Sequence, residues 1–204
     1  MSLPKVVSRD EWVAARVELL GAEKAHTRAR DALSRRRREL PMVEVEKEYV
    51  FTGPDGPASL LDLFAGRRQL IVSHFMFDPE WDEGCPSCSA GADEWSPGMQ
   101  RHLAVRDTTL AYVSRAPIEK IEAYRAKKGW GISWYSSNGS DFNYDFHVTL
   151  DPAVATPEYN YKPAPDATGE VPGLSCFLRD GERIFANFTV GKHNGYLILK
   201  IGDE

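Results

Sequence analysis

Apolar positions recur at helical spacing between Ser8 and Pro41. Val13, Val17 and Leu20 share one face, Trp12 and Leu19 widen it, and Lys, Arg and Glu fill most other positions. Ser8, followed three residues later by Glu11, is a capping box in which each side chain satisfies a first-turn N–H, and Pro41 supplies a stop. The spacing therefore predicts one helix over residues 8–40. A helix so long and so polar either lies across the domain or pairs with a second subunit.

From about residue 43 the pattern changes to alternating strands and helices. Val43, Val45 and Tyr49-Val50-Phe51 predict extended chain, ended by the turn Gly53-Pro54-Asp55-Gly56-Pro57. Ser59 is placed to cap a short helix, Leu60 to Phe64, closed by Gly66. The run from Leu70 to Phe77 is nearly continuously apolar, as in a strand buried on both faces of a parallel sheet. A loop, Asp78 to Gly84, follows. Ser89 to Leu103 reads as helix broken at Pro97-Gly98, and Thr108 to Val113 as a second buried strand. Ala116-Pro117-Ile118 opens another helix with Ile118, Ile121 and Tyr124 on its apolar face, closed by Lys127-Lys128-Gly129. Residues 130–150 are aromatic and loop-like, and residues 151–170, with four prolines, predict an irregular excursion. Leu174 to Arg179 and Arg183 to Val190 flank Asp180-Gly181, a strong hairpin signal.

This order predicts an α/β fold: a mixed central sheet flanked by helices, built from a βαβ unit and a final hairpin. Residues 1–42 are expected as an N-terminal helical extension and residues 43–204 as the main domain. Length agrees, since 204 residues suffice for one domain with its own core. Hydrophobic residues at 42% and charged residues at 27% are ordinary globular values. No apolar stretch is long enough to span a membrane, and Asp10, Glu11 and Glu18 are incompatible with a secretory signal, so the expected location is cytoplasmic. Twenty-five Lys and Arg against thirty Asp and Glu leave a net charge of −5, which argues against a nucleic-acid binder. The run Arg35 to Arg38 is accordingly read as cations offsetting a helix C-terminus.

The candidate chemistry lies in Cys85-Pro86-Ser87-Cys88. Three cysteines are too few, and odd in number, for a disulfide-stapled scaffold. A thiol attacks a disulfide as its thiolate, and a helix N-terminus supplies both unpaired N–H groups and a favourable dipole. Cys85 stands after Gly84 at the end of a loop, ahead of a helix, with Cys88 one turn along the same face and within disulfide reach. That placement supports a cycle in which Cys85 attacks a substrate disulfide and Cys88 resolves the mixed disulfide. Three other readings fit the pair: half of a zinc site, completed from Cys176, His74, His102, His147 or His193; inert residues at a helix start; or a peroxidatic Cys85 resolved by Cys88.

Other residues bear on the same site. Pro172, directly before the hairpin strand, is the candidate for the proline that in thioredoxins is cis and faces the substrate chain. Trp81, Trp134 and Tyr135 are candidate substrate-binding residues, Trp81 bracketing the motif and the other two belonging to the aromatic cluster after residue 130. His74 reads as a core histidine or a proton shuttle, and Cys176 as a small buried hydrophobe. Asp82 and Glu83, if turned inward, would oppose thiolate formation at Cys85.

Several segments together carry a resemblance: Glu11-Trp12, Leu40-Pro41, Phe75-Met76-Phe77, Trp81 to Ser89, Val113-Ser114-Arg115-Ala116-Pro117, Ser140-Asp141-Phe142-Asn143 and Pro172-Gly173-Leu174-Ser175. They resemble a largely bacterial family of thioredoxin-like proteins known by a domain of unknown function, number eight-nine-nine, whose members are named as predicted dithiol–disulfide oxidoreductases. The likeness runs from about residue 8 to 185. Past Phe185 the chain departs from the family's threonine-, tyrosine- and serine-rich strand and Arg-Gly pair, reading Ala186 to Gly191 instead. The resemblance implies a thioredoxin-like fold, with Cys85 as nucleophile, Cys88 as resolving thiol and Pro172 facing the substrate. It implies no cofactor beyond the cysteines, and a protein or small-molecule disulfide or thiol as substrate. The remaining expectations are no nucleic-acid or membrane partner, and a homodimer through the N-terminal helix. The alternative from another class is a catalytically silent interaction module.

Overall fold

A computed structural model describes residues 3–191, and of the residues named above only His193 lies outside them. The chain divides into two compact units between Leu40 and Pro41, two residues ahead of the expected boundary. The first unit is helix α1 (Arg9–Arg38). Its capping box is formed: the Ser8 hydroxyl accepts the Glu11 N–H at 3.3 Å, and the Glu11 carboxylate accepts the Ser8 N–H at 2.9 Å. Asp10 and Glu11 in the first turn and Arg35 to Arg38 in the last complement the dipole. Taken by itself, α1 buries no residue, and Trp12, Val17 and Leu19 lie on its surface. Among the described residues no helix is long and apolar enough to cross a membrane.

The second unit is mixed α/β. It runs β1 (Val43–Glu44), β2 (Val50–Gly53), β3 (Gly56–Ser59), a 3-10 turn (Asp62–Phe64), β4 (Gln69–His74), α2 (Pro86–Asp93), α3 (Pro97–Val105), β5 (Thr108–Ser114), α4 (Ile118–Lys128), β6 (Ser133–Ser136), α5 (Phe142–Asp145), β7 (Thr149–Leu150), β8 (Glu158–Tyr159), β9 (Lys162–Pro163), β10 (Gly169–Glu170), β11 (Gly173–Asp180) and β12 (Arg183–Gly191). Among the described residues eight strands form one sheet in the order β1-β12-β11-β4-β5-β6-β2-β3. Strands β4, β5 and β6 are parallel, and β11 runs antiparallel to β4. The carboxyl ends of the three parallel strands and the amino end of β11 therefore share one edge of the sheet.

Alternation along the central strands divides the core. Leu70 and Val72 of β4, with Ala111 and Val113 of β5, pack with Phe51, Phe64, Phe142 and Phe177. Ile71, Leu110 and Tyr112 turn to the opposite face and pack with Phe75, Phe77, Ile121 and Trp134. This double burial explains the unbroken apolar run read in β4.

Three expectations shift. The short helix after Ser59 shrinks to Asp62–Phe64, because Ser59 and Asp62 form a capping pair that starts it late and Ala65, at φ 49°, ends it. Residues 133–136, expected in a loop, are the parallel strand β6, whose four residues are too few to print a period. The hairpin turn is Gly181-Glu182, one residue later than read. Asp180 already pairs with Arg183, and Gly181 supplies the positive φ, 61°, that the turn requires.

Candidate functional site

The loop after β4 delivers Cys85 to the end of a helix. Gly84 in that loop has no room for a side chain, since a Cβ there would lie 2.5 Å from Phe75 Cε1 and 3.1 Å from Tyr124 Cε1. The Cys85 N–H donates to the Met76 carbonyl at 3.0 Å, which turns the chain back beside its own strand. Cys85 is the N-cap of α2, and Pro86 occupies the first turn, where its missing N–H costs nothing. The Cys85 carbonyl accepts both the N–H and the hydroxyl of Ser89, each at 2.9 Å, and the Ser89 hydroxyl lies 3.0 Å from the Tyr124 hydroxyl. Tyr124, on α4, thus anchors the first turn of α2.

This geometry acts on the thiol. Partial burial opposes ionisation of Cys85, but four hydrogen bonds outweigh it and hold its pKa below the ordinary thiol value. They come from the Ser87 hydroxyl, 3.2 Å from Sγ, from the Cys88 and Ser87 backbone N–H groups, and from the Cys88 thiol. The backbone donors are the orphan first-turn groups of a helix, directed at the developing anion. Cys88 is half-buried against the face built by Phe75, Tyr112 and Trp134, and no disulfide joins it to Cys85. Glu83 turns outward to ion-pair with Lys127, and Asp82 is exposed, so neither carboxylate is turned inward against the thiolate.

Pro172 stands immediately before β11. Gly173 pairs with His74 at the end of β4, which sets Pro172 beside the chain leading to Met76 and Cys85. Gly173 is required there, because a Cβ would meet Val148 Cγ1 at 2.6 Å and His74 Cδ2 at 3.1 Å. Among the described residues no peptide bond is cis, so Val171–Pro172, whose isomer the sequence leaves open, has the trans form that ordinary X-Pro energetics favour.

The aromatic candidates separate. Trp81 is 39% exposed in the cysteine loop, which Lys120 secures by donating to the Pro79 and Trp81 carbonyls at 2.7 and 3.0 Å. Trp134 has no exposed surface. Its indole N–H donates to the Ser114 hydroxyl at 2.9 Å, and its ring packs on Phe75 at 4.5 Å. It is a support beneath the cysteine loop and presents nothing to a substrate. Tyr135, the next residue of β6, points to the opposite face and covers Gly53. Two adjacent strand residues cannot line one pocket.

His74 also faces away from the cysteines. It stacks on Phe142, its Nε2 lies 2.7 Å from the Ser175 hydroxyl, and burial drops its pKa to about 3. It is a neutral core histidine. Cys176 is buried in β11, with its pKa pushed up to about 12, and is a small hydrophobe. Among the described residues no cluster of three or more His, Cys, Asp or Glu side chains is arranged to hold a metal ion.

The edge carries one group that residue patterning did not single out. Arg115, just past β5, donates to Glu170 at 2.6 Å, to the Tyr144 hydroxyl at 3.1 Å and to Asp78. Glu170 in turn accepts from the Thr149 hydroxyl at 3.0 Å, and Thr149 accepts from Asn143 at 3.3 Å. Asn143 accepts from the Ser137 hydroxyl at 2.7 Å. The one signal for this network was an arginine set at the end of a wholly buried strand.

No curated protein matches the chain. Among solved structures it is similar to peroxidoxin BcpB from Mycobacterium tuberculosis, at 12% identity over 74% of this chain and 84% of that one, with a TM-score of 0.50. It is also similar to a cysteine-to-serine mutant of PrxQ from Xylella fastidiosa, at 13% identity over 76% and 80%, TM-score 0.49. A third likeness is to a protein described as thiol:disulfide interchange protein DsbE from Chlorobium tepidum, at 12% identity over 76% and 89%, TM-score 0.47. At these identities the likeness is one of fold, and that fold is thioredoxin-like. In sequence, residues 1–197 match one family, N-terminal helix and cysteine loop together, and the chain belongs to that family, the bacterial proteins of unknown function designated DUF899.

Proposed function

We propose that this protein is a thiol–disulfide oxidoreductase whose redox centre is Cys85 and Cys88. The reading is carried by the environment of Cys85 Sγ: the N-cap of a helix, with the Ser87 hydroxyl 3.2 Å away, and with the Ser87 and Cys88 backbone and the Cys88 thiol also helping to hold its pKa down. In the forward half-cycle the Cys85 thiolate attacks one sulfur of a substrate disulfide, forming a mixed disulfide and expelling the other sulfur as thiolate. Cys88, giving up its proton to solvent, then attacks Cys85 Sγ and expels the second substrate sulfur. Two electrons pass to the substrate and the protein is left with a Cys85–Cys88 disulfide, which an external dithiol reduces. No cofactor beyond the two sulfurs takes part. Pro172 and Trp81 are the residues proposed to face the substrate chain. The compartment proposed is the cytoplasm, and self-association through α1 is the proposed assembly.

The test is reduction of insulin disulfides with dithiothreitol as terminal reductant. Turnover by the wild type, lost in Cys85→Ser, supports the reading. Peroxide-dependent sulfenate on Cys85 without disulfide turnover replaces it with a thiol peroxidase. If a Cys85→Ser/Cys88→Ser protein matches the wild type in every redox assay, the domain is a silent module.

A further inference from the structure

Three segments converge on the sheet edge where the cysteines lie, and each ends on a different atom of one side chain. Arg115 Nη2 donates to Asp78, in the loop that leads to Cys85. Its Nε donates to Glu170 Oε1, two residues before Pro172, and its Nη1 to the hydroxyl of Tyr144, on α5. The guanidinium carbon also lies 5.7 Å from the centre of the Tyr144 ring. This is no surface ion pair of small value, since the side chains of Arg115 and Asp78 are 21% and 20% exposed and that of Glu170 only 2%. Burial raises the pKa of the Glu170 carboxyl, while the Arg115 guanidinium and the Thr149 hydroxyl pull it back down. Behind it, the pairing of Glu170 with Thr149 fixes β10 to β7, and the Val171 N–H donates to the Val148 carbonyl at 2.9 Å.

We propose that Arg115 is the positioning residue of the thiol site, setting the segment 169–173 at a fixed distance from the cysteine loop so that a polypeptide disulfide docks across both. The planar fork of arginine is needed for this, because its donors leave in three fixed directions, whereas a lysine ammonium is a single point that cannot span three segments. Arg115 spends these donors on the three segments and is not among the groups that set the Cys85 pKa, so its effect falls on docking and leaves the thiolate of Cys85 alone. The inference rests on the oxidoreductase reading above.

The experiment compares the wild type with Arg115→Lys and with Glu170→Gln, a near-isosteric variant that keeps the Thr149 contact and guards against a simple failure to fold. Steady-state reduction of a protein disulfide is measured beside the pH titration of the Cys85 thiolate and its alkylation by iodoacetamide. Both variants are expected to lose on the order of tenfold in kcat/KM, through KM, while the titration and the alkylation rate stay within about twofold of wild type. Unchanged KM in both variants overturns the proposal and leaves the oxidoreductase reading standing. A shift of the Cys85 titration in step with KM overturns it as well, by making Arg115 an electrostatic partner of the thiolate. A wild type with no disulfide turnover removes the parent reading, and the proposal with it.

Discussion

His74 offers a quantitative check on the core beneath the site. Its ring is buried at the end of β4, stacked at 5.6 Å on Phe142 and 6.1 Å on Phe146, and its Nδ1 has no hydrogen-bond partner among the described residues. A proton on that ring would bury a cation in an aromatic cluster, and burial moves the pKa down from 6.5 to about 3. The unfolded chain takes up the proton near 6.5 and the folded chain only near 3. The neutral ring's contribution is therefore complete above 6.5 and is lost as pH falls from 6.5 toward 3. At about pH 5 the loss is about 2 kcal/mol relative to about pH 7.5, set by the 1.5-unit gap between the unfolded pKa and the assay pH because the folded pKa lies lower still. His74→Gln keeps an amide within reach of Ser175 and removes the titration. Urea unfolding of both proteins at the two pH values isolates the term, since carboxylates contribute alike to each. The variant should be less stable at neutral pH for lost packing, yet its stability should fall by about 2 kcal/mol less on acidification. An equal fall in both proteins would show that the ring is solvated or charged in the fold and would refute the reasoning. The pH profile of Cys85 alkylation should be the same in both, because His74 lies on the face of the sheet opposite Cys88.

Other outcomes follow from the same geometry. Ser87→Ala removes the hydroxyl that hydrogen-bonds Cys85 Sγ, so the thiolate is less stable and the pKa should rise. Iodoacetamide alkylation near neutral pH should slow only about three- to fourfold, because the more basic thiolate is a better nucleophile. Gly84→Ala drives a methyl into Phe75 and Tyr124, and should cost about 1–3 kcal/mol in chemical denaturation and slow Cys85 together with it. Mass spectrometry after alkylation of the native protein should find label on Cys85 and Cys88 and none on Cys176, which becomes reactive only in denaturant. If two copies pair through α1, Val17→Glu should lower the mass in sedimentation from dimer to monomer, and an unchanged mass would exclude that face.

What the sequence reveals of such a site depends on how local each interaction is. The Ser8 and Glu11 capping box, the buried strand β4 and the placement of Cys85 at a helix start each rest on neighbours within a few residues, and patterning finds them. Trp134 and Tyr135 look like one aromatic patch in a linear reading, yet the two-residue period of a strand sends them to opposite faces once β6 joins the sheet. Arg115 lies still further from local inference. Its partners are 37, 29 and 55 residues away, and only the assembled sheet, with β4, β5 and β6 parallel and β11 antiparallel to β4, brings those segments to one edge. Parallel strands gather there whatever follows each of them, and antiparallel β11 adds what precedes it, which is why a thiol loop, a proline segment and a buried ion cluster can share one edge with no sequence motif that spans all three.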